Sequence, residues 1–213
     1  VAGSNPVDRP FYLSALLFGR EEYLISLWQA LVLGITQGIT EFFPISSSAH
    51  LYLMKLLLHL EESETTLFDL SCHLGTLVAL VYFLRHDLRD LLTKNPNPLS
   101  TKPRIWQTKD VSLLFLALLP LFPLYFLYRP FSSWFSTQKL LGIWMIASSL
   151  ILATGEFFTS SKLAYAGRTK KASLWIGTMQ ALALVPGISR SGATITAARL
   201  AKWPIEQAIL FSF

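Results

Sequence analysis

Charge is scarce in this sequence. Only 15% of its 213 residues are Asp, Glu, Lys or Arg, where a soluble domain carries about a quarter. Cysteine is nearly absent: Cys72 stands alone, which excludes a disulfide scaffold within the chain, and no Cys/His cluster has zinc-site spacing. Acids (13) are fewer than bases (18), yet the bases sit between apolar runs. That placement reads as membrane orientation and argues against a nucleic-acid partner. What is present is apolar: 52% hydrophobic residues, 13% aromatic, and a mean hydropathy of +0.46. A disordered chain is excluded. The composition is that of an integral membrane protein.

Residue 1 is Val, and the chain closes on Phe211-Ser212-Phe213 within an apolar stretch; we expect a piece of a longer protein. Val1 to Arg20 mixes charges and has no small-residue cleavage site after an apolar core, so no signal peptide is assigned. Residues 1–23 read as a flanking segment of a single membrane domain over 1–213.

A bilayer crossing needs about 20 apolar residues, somewhat fewer at the minimum. Leu67–Leu84, Val111–Tyr128 and Leu140–Phe158 qualify. Two further apolar stretches are interrupted by Gly, Thr, Ser and Pro: Leu24–Phe43 with Leu51–Leu60, and Leu174–Val185 with Ala193–Leu200. Arg85–Asp110 carries six Lys/Arg and Thr159–Ser173 carries four without an acid, whereas Glu61–Thr66 carries three Glu and no base. The positive-inside rule puts the two basic loops in the cytoplasm. The fold expected is an all-α multi-pass bundle.

The chain also repeats itself. At an offset of 143 residues, Gly34-x-x-Gln37-x7-Ile45-Ser46-x-Ser48 aligns with Gly177-x-x-Gln180-x7-Ile188-Ser189-x-Ser191, and Leu67-Phe68 with Leu210-Phe211. Three crossings lie between the copies, and an odd number makes the second copy inverted. The first repeat runs over about 24–158 and the second from about 167, cut short at 213. Broken segments in matching positions of inverted repeats point to a central site. Each would form a re-entrant hairpin, its irregular backbone lining a cavity.

The residues able to do chemistry lie in those breaks. Glu41 is the only charged residue between Leu24 and Leu51. A carboxylate at membrane depth costs about 2.5–3.5 kcal/mol on insertion scales, so it should face a cavity or a cation. Gln37 stands four residues earlier, on the same helical face. After Pro44, the run Ser46-Ser47-Ser48-Ala49-His50 opens a half-helix with free N–H groups. In the second break, Pro186-Gly187-Ile188-Ser189-Arg190-Ser191-Gly192-Ala193-Thr194, Gly187 and Gly192 permit tight turns. Arg190 supplies a planar fork matched to phosphate oxygens. The plainer alternatives are that the serines cap helices and that Arg190 neutralises Glu41. As helix, Leu174 to Ile188 rises about 21 Å and Leu60 back to His50 descends about 15 Å, so both breaks can meet in the outer half of a core about 30 Å thick. One acid, one imidazole, one guanidinium and several hydroxyls then form a phosphoryl-transfer constellation acting on a lipid-borne phosphate. Cys72, His59 and His73 read as packing residues, and Trp134/Phe135 as an interfacial anchor.

The two motifs, with Phe68-Asp69 leading into His73-Leu74-Gly75-Thr76-Leu77, closely resemble the undecaprenyl-diphosphatase family, also called bacitracin-resistance proteins, from about Leu27 to Phe213. The resemblance implies a hydrolase of the bacterial inner membrane, its active site facing outward. It would convert undecaprenyl diphosphate to the monophosphate, recycling the carrier lipid of cell-wall synthesis and conferring bacitracin resistance. It further implies a divalent cation, Mg²⁺ or Ca²⁺, with Glu41 as metal ligand or acid/base, Ser47 at the position of a nucleophile, His50 as acid/base toward Ser47 or a water, and Arg190 as diphosphate clamp; the covalent and direct-water routes both stand. Gln37, Ser46, Ser48, Ser189, Ser191, Gly192 and Thr194 would bind substrate. The family's bilayer-embedded form is compatible with a homodimer. The rival reading is a transporter or flippase of the same prenyl phosphate lipid, since inverted repeats with broken helices are also transporter architecture.

Overall fold

The computed structural model describes residues 25–60, 62–92, 108–135, 138–158 and 167–213. The flanking segment and much of both basic loops lie outside them. Every regular element among the described residues is a helix, with no strand.

Ser26 and Gln29 form a capping box that starts α1 (Leu27–Thr40), each side chain satisfying a backbone N–H that a helix start leaves open. The chain then breaks and resumes as α2 (Ser47–Leu57). A long α3 (Glu62–Phe83) follows, and α4 (Arg85–Leu92) continues from it. The stretch expected as one span over Val111–Tyr128 is built of α5 (Thr108–Leu118) and α6 (Leu121–Tyr128), joined by one turn at Leu119-Pro120 within a single stretch long enough to cross. Pro120 has no N–H to donate and disfavours helix at Leu119, so the ladder slips at Leu119, whose N–H turns to the Leu116 carbonyl at 3.3 Å. Beyond α7 (Ser132–Phe135) comes α8 (Leu141–Phe157). The last three helices are α9 (Lys170–Gln180), α10 (Arg190–Leu200) and α11 (Ile205–Ser212).

Thr65–Phe83 and Val111–Phe135 are long and apolar enough to cross a membrane, and Leu141–Phe157 is a shorter apolar helix. From Thr66 to Phe83 no residue is buried. An exposed apolar surface of that extent is rare on a monomer in water, whereas lipid tails solvate it.

The element bounds carry the 143-residue offset. α2 spans 47–57 and α10 spans 190–200; α1 and α9 start at 27 and 170, and α3 and α11 at 62 and 205. Even the left-handed residues His59 and Lys202 coincide.

The core gathers around α10, whose residues from Ser191 to Ala198 are all buried between α8, α9 and α11. Small side chains allow this. A Cβ on Gly155 of α8 would meet Thr196 at 3.0 Å, and the Thr196 hydroxyl donates to the Ile151 carbonyl at 3.2 Å. Close helix approach through small residues, with hydroxyls bonded across helices, is how apolar bundles cohere in lipid. Trp203 is fully buried and meets Phe211 edge-on at 4.9 Å.

α9 lies so close to α5 that a Cβ on Gly177 would collide with the Ala117 carbonyl, which is backbone and cannot rotate away. Gly177→Ala should therefore cost about 3 kcal/mol, the upper end of ordinary overpacking. A lowered thermal midpoint in detergent, against an unchanged midpoint for Gly34→Ala, where nothing lies within 4 Å, checks it.

Candidate active site

The first break ends α1 at Thr40, and Glu41 caps it, its N–H bonded to the Gln37 carbonyl at 2.9 Å. Ser46 adopts a left-handed conformation (φ 65°) without capping α2 by its side chain. This tight return carries Ser47 back over Glu41. The Ser47 hydroxyl donates to Glu41 Oε2 at 2.6 Å, and Gln37 Nε2 donates to the same oxygen at 2.9 Å. Two donors and the adjacent start of α2 offset the cost of a carboxylate at this depth.

The second break is built differently. Gly187 takes φ 100°, a region open to glycine, and a Cβ there would lie 2.9 Å from the Trp144 side chain. Ser189 is held twice: its N–H donates to Ser148 Oγ at 3.0 Å, and its own Oγ accepts from the Gly192 N–H at 3.1 Å, capping α10. Arg190 thus occupies the first turn of α10. Its Nη2 stands 3.4 Å from Glu41 Oε1, joining residues 149 apart in sequence. Gly192 permits the junction, since a Cβ there would lie 3.2 Å from the Pro44 carbonyl of the first break.

A cavity of about 210 Å³ lies between the breaks. Its walls include Glu41, Ser46, Ser47, Ser48, Ser189, Arg190 and Ser191. The Arg190 side chain is 60% exposed and that of Glu41 20%, so the guanidinium reaches into the opening while the carboxylate sits at its floor. Gln37 is wholly buried behind Glu41. Thr194 stands apart from this wall: its hydroxyl meets the carbonyls of Arg190 and Ser191 and, at 2.5 Å, Ser212 Oγ. It lines a second, mostly apolar cavity of about 260 Å³ that shares Arg190. His50 is not among the residues lining the polar cavity; its Nδ1 lies 2.9 Å from the Ser46 carbonyl and so donates to it. The hydrogen-bond partner of Ser47 is Glu41.

Two features escape the sequence reading. His73, read as packing, lines the polar cavity. Lys55 of α2, buried, makes an ion pair with Asp69 of α3. The available signal was the same one that marked Glu41: an ionisable side chain inside an apolar segment.

As for a metal, no group of three or more His, Cys, Asp or Glu residues converges among the described residues. Gln37 Oε1, however, is buried without a hydrogen-bond partner, one helical turn from the Glu41 carboxylate. One carboxylate and one amide oxygen suit a hard cation such as Mg²⁺ or Ca²⁺, whose remaining ligands are waters and substrate phosphates. The residue types fit that ion class once the Gln37 amide turns its oxygen, in place of Nε2, toward Glu41.

The family described as Bacitracin resistance protein BacA matches residues 30–213. Curated relatives include the undecaprenyl-diphosphatases of Protochlamydia amoebophila (38% identical, covering 89% of this chain and 68% of that protein) and Geotalea daltonii (38%, covering 89% and 71%). A third, from Pelobacter propionicus, is 37% identical over 89% of this chain and 70% of its own.

Proposed function

The chain belongs to the bacitracin resistance protein BacA family, and on that premise we propose that it hydrolyses undecaprenyl diphosphate to undecaprenyl phosphate and inorganic phosphate. The observation that carries the chemistry is the 2.6 Å hydrogen bond from the Ser47 hydroxyl to Glu41, whose other oxygen faces Arg190. A nucleophile on its base, beside a cation fork, is an arrangement for phosphoryl transfer.

Arg190 binds the diphosphate oxygens through parallel N–H donors, taking them in place of Glu41. Ser47 Oγ attacks the terminal phosphorus in line with the bridging oxygen. The Oγ–P bond forms, the P–O bond to undecaprenyl phosphate breaks, and the Ser47 proton passes to Glu41. Water then attacks the phosphoserine: its oxygen bonds to phosphorus and the Oγ–P bond breaks. Glu41 returns its proton to Ser47 Oγ while taking one from the water, and that proton and inorganic phosphate leave to solvent. His50 holds the Ser46 backbone that aims Ser47. Glu41 and Gln37 would hold the divalent cation, which supplies charge neutralisation at the phosphoryl oxygens. Ser189 and Ser191 add hydroxyl donors on the α10 side, and Ser46 and Ser48 on the other.

The shared 143-residue offset of α1–α2–α3 and α9–α10–α11 supports an inverted-topology repeat whose two broken hairpins are re-entrant. The acidic run Glu61–Glu64 and the basic loops support placing the site toward the outer face of the bacterial inner membrane. There the enzyme would recycle the carrier lipid for cell-wall synthesis and confer bacitracin resistance, as one membrane domain able to pair as a homodimer.

The test is phosphate release from undecaprenyl diphosphate by the purified protein in detergent. Release that EDTA abolishes and Mg²⁺ or Ca²⁺ restores is the expected outcome. No release from folded protein that still binds the lipid would overturn the hydrolase and leave a lipid carrier.

A further inference from the structure

His73 sits in the middle of α3, within the apolar window Thr65–Phe83. A titratable ring at that depth needs polar partners, and only one of its nitrogens has a described one. Nδ1 lies 2.8 Å from the Asp69 carbonyl one turn earlier. A carbonyl can only accept, so Nδ1 carries the proton and Nε2 is left for something else. The ring lines the polar cavity together with Glu41, Ser47 and Arg190.

Its position is held from behind. The Asp69 carboxylate pairs with Lys55, whose side chain is 4% exposed. Lys55 lies on α2, eight residues beyond Ser47, so the ion pair ties α3 to the helix that carries the hydroxyls. Removing one partner of a buried pair leaves an uncompensated charge, which makes the tie stiff. The same turn of α3 therefore offers its carboxylate to α2 and its carbonyl to His73.

We propose that His73 is a phosphate-contacting residue, its Nε2 sharing one proton with a non-bridging oxygen of the terminal phosphate. With neutral imidazole the proton comes from a phosphate hydroxyl; with imidazolium the N–H donates. This rests on the reading of the cavity as a diphosphate site. It gives the phosphate a third wall: Arg190 from α10, Ser47 and Glu41 from the first break, and His73 from α3. An amide in place of the ring can donate or accept in the same way, whereas an alkyl side chain can do neither.

The experiment compares His73→Leu and His73→Gln with the unsubstituted protein in detergent. Loss of one hydrogen bond to a charged group corresponds to about tenfold or more in affinity. His73→Leu should accordingly raise KM and the inhibition constant of inorganic phosphate by that factor, with kcat nearly unchanged. His73→Gln should restore most of both. An unmoved KM in His73→Leu overturns the contact, and so does an equal rise in both variants, which marks a packing role. Absence of phosphate release by the unsubstituted protein would instead sink the hydrolase reading itself.

Discussion

Arg190→Ala is expected to lower kcat/KM for phosphate release by about 10³-fold or more, the range seen when a guanidinium facing a transferring phosphoryl group is removed. The argument is one of charge and position. Arg190 stands at the first turn of α10, where Ser189 capping and the Gly192–Pro44 approach fix the backbone. Its side chain is nevertheless 60% exposed, and its one described ion pair, to Glu41, is long at 3.4 Å. Such a group contributes little to folding and is free to turn toward a ligand. The loss should thus appear in KM as well as kcat, with an unaltered thermal midpoint. Arg190→Lys keeps the charge but not the planar fork, and should recover only part of the activity. Steady-state phosphate release measures both. An Arg190→Ala protein retaining a tenth of the original activity would remove the guanidinium from the site.

Much of this site was written in the sequence because its physics is local. Pro44 and Pro186 stop helices, hydroxyl residues start them, and a lone Glu in an apolar run has to be answered by something polar. The offset between Ser47 and Arg190 also followed from alignment alone, and α2 and α10 begin at those residues. What the sequence hid is set by rotation and by slip. Nothing in the α3 sequence says which way His73 faces, because most of that helix's side chains point to lipid and leave no amphipathic stripe to read. The Lys55–Asp69 pair joins two helices through a turn at His59, and its register needs three dimensions. The identity of Ser47's partner is a similar case. His50, three residues on, is the nearer candidate in sequence, but the left-handed turn at Ser46 swings the hydroxyl toward Glu41. The run's unbroken hydropathy rightly reads Val111–Tyr128 as one span, while the slip inside it at Leu119 is the local effect of Pro120.

Glu41→Gln should give the opposite kinetic signature to Arg190→Ala. The amide preserves shape and can still accept from Ser47, but it cannot take the proton that attack releases. General-base loss of this kind costs about 10²–10⁴-fold in kcat. With divalent cation supplied at saturation, so that a weaker cation site is not what is read, KM by contrast should stay level or fall. The carboxylate competes with substrate for Arg190 through its 3.4 Å contact, and its charge repels the incoming diphosphate; both effects vanish with the amide. A kcat that collapses while KM does not rise identifies an interaction made in the transition state rather than in binding. Ser47→Ala removes the other half of the pair, so the double variant Glu41→Gln/Ser47→Ala should be no slower than the worse single one, since residues acting as a unit are not additive. Acid quench with labelled terminal phosphate should trap a phosphoserine at Ser47 in the unsubstituted protein and none in either variant. Full activity in Ser47→Ala would exclude the covalent route and make the 2.6 Å hydrogen bond the mark of a place where Glu41 activates water instead.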